Sequence, residues 1–415
     1  MESSDFGGIV ATRPREVRQV SSIGEVHEAL RDAAGQRIPV LAHGRRHTSF
    51  GQSQIRDGVS LDMTGLNQIH EFEEGHVVVE AGATWAEVLR ATLAHGRTPR
   101  VLTDYLGVTV GGTLSAGGIG GTSGRRGVQT DNVLALEVIT GDGVRRTCSR
   151  TESPELFDGV LAGFGRCGVI VRATVPLGPA PARVRRFKIY CPTPADLLRH
   201  QRRLLREGRF AFLQGEILPG EHGWTPMLDV AAYYSPPDEP DDARLLAGLG
   251  YEPSRDETAD LAYWDFANRL ADAEAYLSQT GEWFAPHPWS NLFLPDNAAD
   301  GHVAGVLSVL RRDDLGEAGL VLVYPVFRRY LNTPLFAVPD GEVVFLVAVL
   351  RFTSTGDVDR MLKANRAWYD QAVAAGGTAY PVGAVPDFDW ARHLAPAAAA
   401  RDRYDPHGAL GSREL

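Results

Sequence analysis

The chain has 415 residues, enough for two or three domains of ordinary size. With 44% hydrophobic and 23% charged residues, its composition excludes a disordered chain, a collagen-like repeat and a disulfide scaffold. The net charge of −10 comes without a basic block, which argues against a nucleic-acid partner. The three cysteines share no metal-ligand spacing, and neither a signal-peptide pattern nor a membrane-spanning apolar run is present. These features predict a cytoplasmic protein without a metal or membrane partner, and they leave the oligomeric state open.

Short β-rich runs alternate with helical patterns over the first 180 residues. Residues 38–42 and 76–82 have the apolar, β-branched composition of buried strands. Thr84 with Glu87 three residues later forms a capping box, which predicts the start of a helix. The Gly-Asp-Gly turn at 141–143 joins two further β-rich runs and predicts a hairpin. The mixture indicates an α/β or α+β domain.

A Pro- and Ala-rich segment at 179–186 marks a boundary in this pattern. Beyond it, residues 193–205 predict a helix, and the strongly β runs at 319–326 and 343–352 predict strands. We therefore expect a second domain built as a sheet covered by helices. The tail has too few apolar residues for a core of its own and is expected to return to the first domain. The expected divisions are 1–180, 181–378 and 379–415.

Glycine is the one compositional excess that points to a binding site, because the 45 glycines are clustered. One cluster lies in the loop 44–54, a second at 111–124 and a third at 163–168. The second has seven glycines in fourteen residues, which predicts an irregular segment, since each glycine costs about 1 kcal/mol in a helix. A flexible linker is the alternative, but Leu114 and Ile119 interrupt the run with apolar side chains. Three such loops without a P-loop or Rossmann motif predict a large dinucleotide held outside a Rossmann fold.

Motifs along nearly the whole chain share one family pattern. They are Asp5 to Gly8, Gly44 to Gln54, Thr103 to Leu106, Thr109 to Ser115, Arg126 to Gln129, Glu155 to Phe157, Pro286 to Trp289, Asn291 with Leu292, Val323 to Pro325, Leu350 to Phe352, and Tyr404 to Pro406. In their order and spacing these motifs resemble the cytokinin dehydrogenases, flavoproteins of the vanillyl-alcohol-oxidase type with covalently bound FAD. The resemblance implies an α+β fold, in which an FAD-binding domain of the p-cresol methylhydroxylase (PCMH) type is interrupted by a substrate domain with an antiparallel sheet covered by helices.

The resemblance also implies how FAD is held. His47 lies where the family attaches the flavin 8α-carbon to a histidine, although a histidine alone in a loop is more often a simple hydrogen-bond partner. Some flavoproteins with this domain add a cysteine link, but residues 103–115 contain no cysteine, so a single attachment is expected. Arg46 stands where the motif has Gly, and Thr48 stands where it has Ser. The implied flavin contacts are Gly44, Arg45, Arg46, His47, Thr48, Gln52, Asp104, Thr109, Ser115, Ile119, Val169, Ile170 and Tyr380.

Two carboxylates match the family's acidic residues at the substrate. Asp104 matches the catalytic base, and Glu274 matches a second acid of the substrate pocket. Oxidation of a C–N or C–O bond by hydride transfer to flavin N5 leaves a proton on the heteroatom, which a nearby carboxylate can accept. The alternative for Asp104 is a turn or helix-cap role, and for Glu274 a solvated helix face.

Three elements depart from the family pattern. Gln214 replaces an acidic residue in the V-E-G element, and Ser290 replaces the Leu that plant members usually have after His-Pro-Trp. Residues 411–414 replace the C-terminal S-P-G-Q element. The residues expected to bind FAD therefore match the family pattern better than the residues expected to line the substrate pocket.

The function implied is that of an FAD-dependent oxidoreductase with a small-molecule amine or alcohol substrate, reoxidised by O₂ or another electron acceptor. Our first expectation is oxidation of the C–N bond of a secondary allylic amine of the N6-isopentenyladenine type, whose imine product hydrolyses to adenine and an aldehyde. A related flavin oxidase acting on another amine or an alcohol in a biosynthetic pathway stays open. A flavin-binding protein without turnover is the third interpretation, which the pairing of His47 with Asp104 disfavours, because binding alone needs no base.

Overall fold

Two groups of sheets organise the computed structural model, which describes residues 3–73, 75–221, 223–354 and 356–411. The strands of the first group are β1 (Ser3–Ser4), β2 (Ala11–Thr12), β3 (Glu16–Gln19), β4 (Val40–His43), β5 (Val59–Asp62), β6 (Ile69–Glu73), β7 (His76–Glu80), β8 (Arg97–Pro99), β9 (Ala135–Ile139), β10 (Arg145–Ser149) and β11 (Val169–Pro179). Its helices are α1 (Ile23–Gln36), α2 (Trp85–Leu93), α3 (Val110–Leu114) and α4 (Pro154–Val160), with 3-10 turns at Ser123–Arg125 and Gln129–Asn132.

The first group contains a small parallel sheet and a larger antiparallel one. The parallel sheet has the order β3-β5-β4, and the antiparallel sheet has the order β10-β9-β11-β7-β6, with β8 pairing to the end of β11. The predicted capping box is confirmed: the Thr84 hydroxyl accepts the N–H of Glu87 at 3.3 Å, and the Glu87 carboxylate accepts the N–H of Thr84 at 2.8 Å. The hairpin predicted around the turn at 141–143 is confirmed as β9 and β10.

The glycine run 111–124 begins with α3, so the prediction of an irregular segment is wrong for its first residues. The Thr109 hydroxyl caps this helix by accepting the N–H of Gly112 at 3.3 Å. A Cβ on Gly111 would stand 2.7 Å from the Cβ of Ala81, closer than packed carbon atoms allow. Close packing against the chain that leaves β7, rather than flexibility, therefore requires glycine in this helix.

The second group is one large antiparallel sheet with helices on it. Its strands are β12 (Arg183–Tyr190), β13 (Phe212–Gly220), β14 (Gly223–Tyr234), β15 (Glu257–Ala262), β16 (Ser290–Pro295), β17 (Leu320–Phe327), β18 (Val343–Leu350) and β19 (Thr378–Ala379). Its helices are α5 (Pro194–Glu207), α6 (Asp242–Leu246), α7 (Tyr263–Ala267), α8 (Ala271–Thr280), α9 (Asp296–Val309) and α10 (Val358–Ala374), with 3-10 turns at Glu282–Phe284, Arg312–Asp314 and Arg328–Tyr330.

The strand order of this sheet is β15-β12-β14-β13-β17-β18-β16-β19, and every neighbouring pair is antiparallel. Helices α5, α9 and α10 pack against it. Apolar side chains from sheet and helices, such as Leu197, Val230, Phe345 and Trp368, form one buried cluster between them. The expected α+β architecture, with an antiparallel sheet covered by helices, is confirmed.

The last described residues form α11 (Trp390–Leu394), a 3-10 turn at Ala395–Ala397, and α12 (Ala398–Tyr404). Helix α12 packs on α4, where the Tyr404 hydroxyl donates to the Glu155 carboxylate at 2.6 Å, and Leu410 pairs with Val40 beside the parallel sheet. The expected domain boundary after residue 378 falls inside β19. We propose that the second domain ends at this strand, because the chain leaves the large sheet there. Residues 412–414 of the altered C-terminal element lie outside the described residues.

None of the helices in the described ranges is long and apolar enough to cross a membrane.

Candidate active site

A cleft with a cavity volume of about 310 Å³, partly open to solvent, lies between the glycine-rich loops and the large sheet. All residues for which a flavin contact was expected line it, and they come from the loops that contain His47, Asp104 and Ile119, from the start of β11 and from Tyr380. The second domain supplies the opposite wall. Sequence reasoning gave no residue of this wall a role in the site, although Trp289, Asn291, Tyr324 and Leu350 lie in the family motifs. The members of that wall are Leu270, Trp289, Asn291, Leu322, Tyr324, Leu346, Ala348 and Leu350.

The loop after β4 is held close to α3. A Cβ on Gly44 would stand 1.9 Å from the Thr109 hydroxyl, so only glycine allows this approach. Arg46 has a φ of +53°, in the left-handed region that glycine adopts easily, which explains the Gly of the family motif. Its guanidinium turns to His43, with Nη2 at 2.7 Å from Nε2, and to Ser60, with Nη2 at 3.2 Å from Oγ. The chain therefore keeps the loop path without the glycine.

His47 is half-buried and lines the cleft. The ring stacks on Phe6, with centroids 4.1 Å apart. Among the described residues, neither ring nitrogen has a hydrogen-bond partner. Burial, and then the nearby His287, lowers the pKa of His47 to about 3, so the ring is neutral near pH 7. A neutral imidazole retains a nitrogen lone pair that can form a bond to a ligand in the cleft.

Thr48 and Gln52 line the cleft, but their polar groups are used within the protein. The Thr48 hydroxyl donates to the Asp5 carboxylate at 2.8 Å. The Gln52 amide donates to the carbonyls of Pro381 at 2.9 Å and Gly383 at 2.8 Å. These bonds attach the His47 loop to the N-terminal segment and to the segment that follows β19, so the two residues position the loop.

Several features fit FAD, a large ligand with many acceptor atoms. Gly118, with a φ of +76°, donates its N–H to the Tyr380 hydroxyl at 3.2 Å, and a Cβ there would stand 2.2 Å from the Gln129 side chain. The side-chain nitrogen of Asn291 is buried and has no partner in the described part of the chain. A buried donor at a cleft wall requires an acceptor, which a flavin ring or a substrate supplies. The cleft therefore suits FAD, with His47 and Asn291 available to it.

Asp104 joins the two domains at the cleft. Arg269 donates to its Oδ1 at 2.6 Å, and the Tyr324 hydroxyl donates to its Oδ2. The same two donors approach the side-chain oxygen of Gln214, at 3.5 Å from Arg269 and 3.3 Å from Tyr324. A glutamate at 214 would place a second carboxylate beside these donors. The neutral amide of Gln214 does not compete in charge with Asp104 for them.

Arg269, the ion-pair partner of Asp104, lies between aromatic side chains. The Arg269 guanidinium lies 4.9 Å from the ring centroids of both Phe212 and Phe266. Burial works against its charge, but the carboxylates of Asp104 and Asp229 outweigh burial and raise the pKa of Arg269. Arg269 therefore stays charged next to Asp104. The sequence signal for it was only its position five residues before Glu274.

Glu274 and Ser290 lie outside the lining of the cleft. Glu274 accepts a hydrogen bond from the hydroxyl of Tyr105, a lining residue, at 2.7 Å. Burial, and then this carboxylate, raises the pKa of Tyr105. Ser290 is buried in β16 between the lining residues Trp289 and Asn291, so its departure from Leu does not reshape the wall.

Two family models match the chain. One, described as an FAD binding domain, matches residues 14–149, and the other, described as "Cytokinin dehydrogenase 1, FAD and cytokinin binding", matches residues 211–412. These matches fall on the two groups of sheets that form the cleft.

Similar proteins cover most of the chain. An "uncharacterized oxidoreductase ORF5 in fasciation locus" of Rhodococcoides fascians is 41% identical over 414 residues, which are 98% of this chain and 94% of that protein. Cytokinin dehydrogenase 7 of Oryza sativa subsp. japonica is 34% identical and covers 98% of this chain and 88% of its own length. Cytokinin dehydrogenase 2 of Arabidopsis thaliana is 33% identical over 88% of this chain and 79% of its own length. The chain belongs to the cytokinin dehydrogenase family of FAD-dependent oxidoreductases.

Proposed function

We propose that the protein oxidises the C–N bond of a secondary allylic amine of the N6-isopentenyladenine type, with FAD attached through His47 and with Asp104 as the base. One observation carries this proposal: His47 and Asp104 line the same cleft, and Asp104 is fixed there by Arg269 and Tyr324. FAD, when bound, supplies the acceptor for the hydride that leaves the substrate carbon.

Asp104 takes the proton that the substrate nitrogen loses. Its two oxygens are held by donors from the other domain, so the carboxylate is oriented before substrate arrives. Arg269 forms an ion pair with this half-buried carboxylate at the cleft, and a carboxylate held there can accept a proton from the substrate. For a cytokinin, the imine product then reacts with water to give adenine and an aldehyde.

The wall from the large sheet supports a substrate with an apolar arm. Leu322, Leu346, Ala348 and Leu350 present aliphatic side chains to the cleft from β17 and β18. An isopentenyl group matches such a surface, and burial of apolar area stabilises its binding by about 25 cal/mol per Å². Trp289 adds an aromatic ring to the same wall.

Gln214 favours a second candidate, a related oxidase that acts on another amine or an alcohol in a biosynthetic pathway. This amide stands where the family has an acid, and it lies beside both donors of Asp104. A substrate that needs a second carboxylate at this position would lose that contact here. The acceptor that reoxidises the flavin is O₂ or another oxidant.

Anaerobic bleaching of the flavin identifies the substrate. The purified protein would be mixed, without O₂, with isopentenyladenine, other allylic amines and sugar alcohols, and the flavin absorbance followed. Rapid bleaching by isopentenyladenine is the expected result. Bleaching only by an alcohol or by an unrelated amine would reject the cytokinin-type substrate and support the second candidate.

Denaturation tests the attachment separately. We expect the flavin to stay with the polypeptide after acid precipitation, and with the His47 peptide after proteolysis. The variant His47→Ala should release its flavin completely. Complete release from the unaltered protein would show that the covalent link is absent.

A further inference from the structure

We propose that the N-terminal strap, defined as Asp5 to Gly8, positions His47 for its covalent bond to FAD, with Phe6 as the positioning residue. The inference rests on the proposed attachment at His47. It concerns how the ring is aimed, which the family match does not address.

The strap inserts Phe6 between two imidazoles. The Phe6 ring lies 4.1 Å from the His47 ring, with 30° between the planes, and 3.9 Å from the His287 ring, with 29° between the planes. Trp283 and Trp289 surround the stack at 5.0 and 5.2 Å from Phe6. Stacking on one face restricts rotation of the His47 ring, so its edge, which carries the nitrogens, is held in a fixed direction.

Backbone bonds attach the strap to the chain on both sides of His47. The N–H of Phe6 donates to the Arg46 carbonyl at 2.8 Å, and the N–H of Gly7 donates to the Thr48 carbonyl at 2.9 Å. A Cβ on Gly7 would stand 2.1 Å from the carbonyl oxygen of Ser49, so this pairing requires glycine.

The strap also reaches the second domain. The N–H of His287 donates to the Gly7 carbonyl at 2.8 Å, and its Nδ1 lies 3.2 Å from the Phe6 carbonyl. The stack is therefore fixed from both domains. The strap thus connects the chain on both sides of His47 to the second domain.

Covalent attachment needs this aim because the reacting nitrogen must meet one carbon. The bond forms between a His47 ring nitrogen and the flavin 8α-carbon, while that carbon and the imidazole each lose a proton. The two electrons from the broken C–H bond pass into the flavin ring, and the electron acceptor of the proposed reaction removes them. Only a neutral imidazole has the lone pair for this bond, and His47 lies among the rings of Phe6, Tyr105, Trp283 and Trp289, in surroundings that disfavour its charged form.

The test compares the covalent fraction of flavin, after denaturation, with the total flavin of the native protein. In Phe6→Ala we expect native FAD binding to persist while the rate of attachment, on incubation with added FAD, falls by roughly 10- to 100-fold. Phe6→Tyr should restore attachment, since the ring is kept. Gly7→Ala should reproduce the loss by displacing the strap. Phe284→Ala is the control, an aromatic side chain nearby that is 74% exposed.

The outcomes separate this inference from the proposed function. If the unaltered protein retains its flavin and Phe6→Ala attaches flavin at the same rate, the positioning role is wrong and the attachment at His47 stands. If the unaltered protein releases all its flavin, both are wrong. Loss of native FAD binding together with attachment in Phe6→Ala and Gly7→Ala would also overturn the positioning role, in favour of a purely structural one.

Discussion

Arg46, in the His47 loop, shows how this chain preserves a backbone path with a different side chain. Arg46 stands at a φ of +53°, where a side chain costs about 1 kcal/mol relative to glycine. Its guanidinium bonds to His43 and Ser60, which compensates for part of that cost. The motif could therefore be recognised from the sequence although its glycine is missing, but the positive φ could not be read from an arginine.

The cost at Arg46 can be measured with two truncations. Arg46→Gly and Arg46→Ala both remove the guanidinium contacts, but only the glycine relaxes the backbone. We expect the Gly variant to unfold with a free energy about 1 kcal/mol higher than the Ala variant, measured by urea unfolding. Equal stability of the two variants would contradict the conformational account.

Asp5 gives the strap a dependence on pH. Burial raises the pKa of Asp5 from 3.8 to about 6, against the hydrogen bonds from Thr48 and the N–H of Gly51. The folded state then holds a proton that the unfolded chain has lost, so this residue makes stability fall as pH rises from about 4 to about 6. The decrease expected from Asp5 is roughly 1–3 kcal/mol.

The variant Asp5→Asn isolates this contribution. Its unfolding free energy should fall less steeply over the same pH range than that of the unaltered protein. Other groups titrate identically in both proteins, so the difference between the two curves is the quantity to measure. Parallel curves would exclude a proton on Asp5.

Secondary-structure elements were predictable where their contacts are local. The start of α2 follows from the reciprocal bonds of Thr84 and Glu87, and the β9–β10 hairpin follows from its turn. The helix α3 was missed because the reason for glycine at position 111 is a contact with Ala81, which is distant in the sequence. Composition gives the number of glycines in a segment, but not which residues of the folded chain pack against them.

The contact between the His47 loop and α3 makes a prediction at this scale. Gly44→Ala would place its Cβ 1.9 Å from the Thr109 hydroxyl, so we expect a loss of stability of roughly 1–3 kcal/mol and weaker FAD retention. Thr109→Ala removes the nearest atom and should restore part of the loss in the double variant. Gly35→Ala, in α1 with nothing within 4 Å, is the control and should not destabilise.

Additive effects of Gly44→Ala and Thr109→Ala would show that the two residues do not meet, since contacting residues give a coupling energy in a double-mutant cycle.

At the scale of the whole molecule, the site exists only where the two domains meet. Asp104 is separated by 165 residues from Arg269 and by 220 from Tyr324, and the large sheet places both beside it. Family motifs predicted Asp104, but no local pattern encodes the strand order β13-β17-β18-β16 that builds the facing wall. Tyr324 lies in a family motif, but its pairing and that of Arg269 with Asp104 appear only in the structure.

The central claim is that Asp104 takes the substrate proton during oxidation of an allylic amine. The most direct test is the rate of anaerobic flavin reduction by isopentenyladenine in Asp104→Asn, with Asp265→Asn, an exposed residue of α7, as the control. With unchanged fold and flavin content, we expect reduction of Asp104→Asn to be slower by roughly 10² to 10⁴, and the control to match the unaltered protein. Reduction of Asp104→Asn at the unaltered rate would contradict the account.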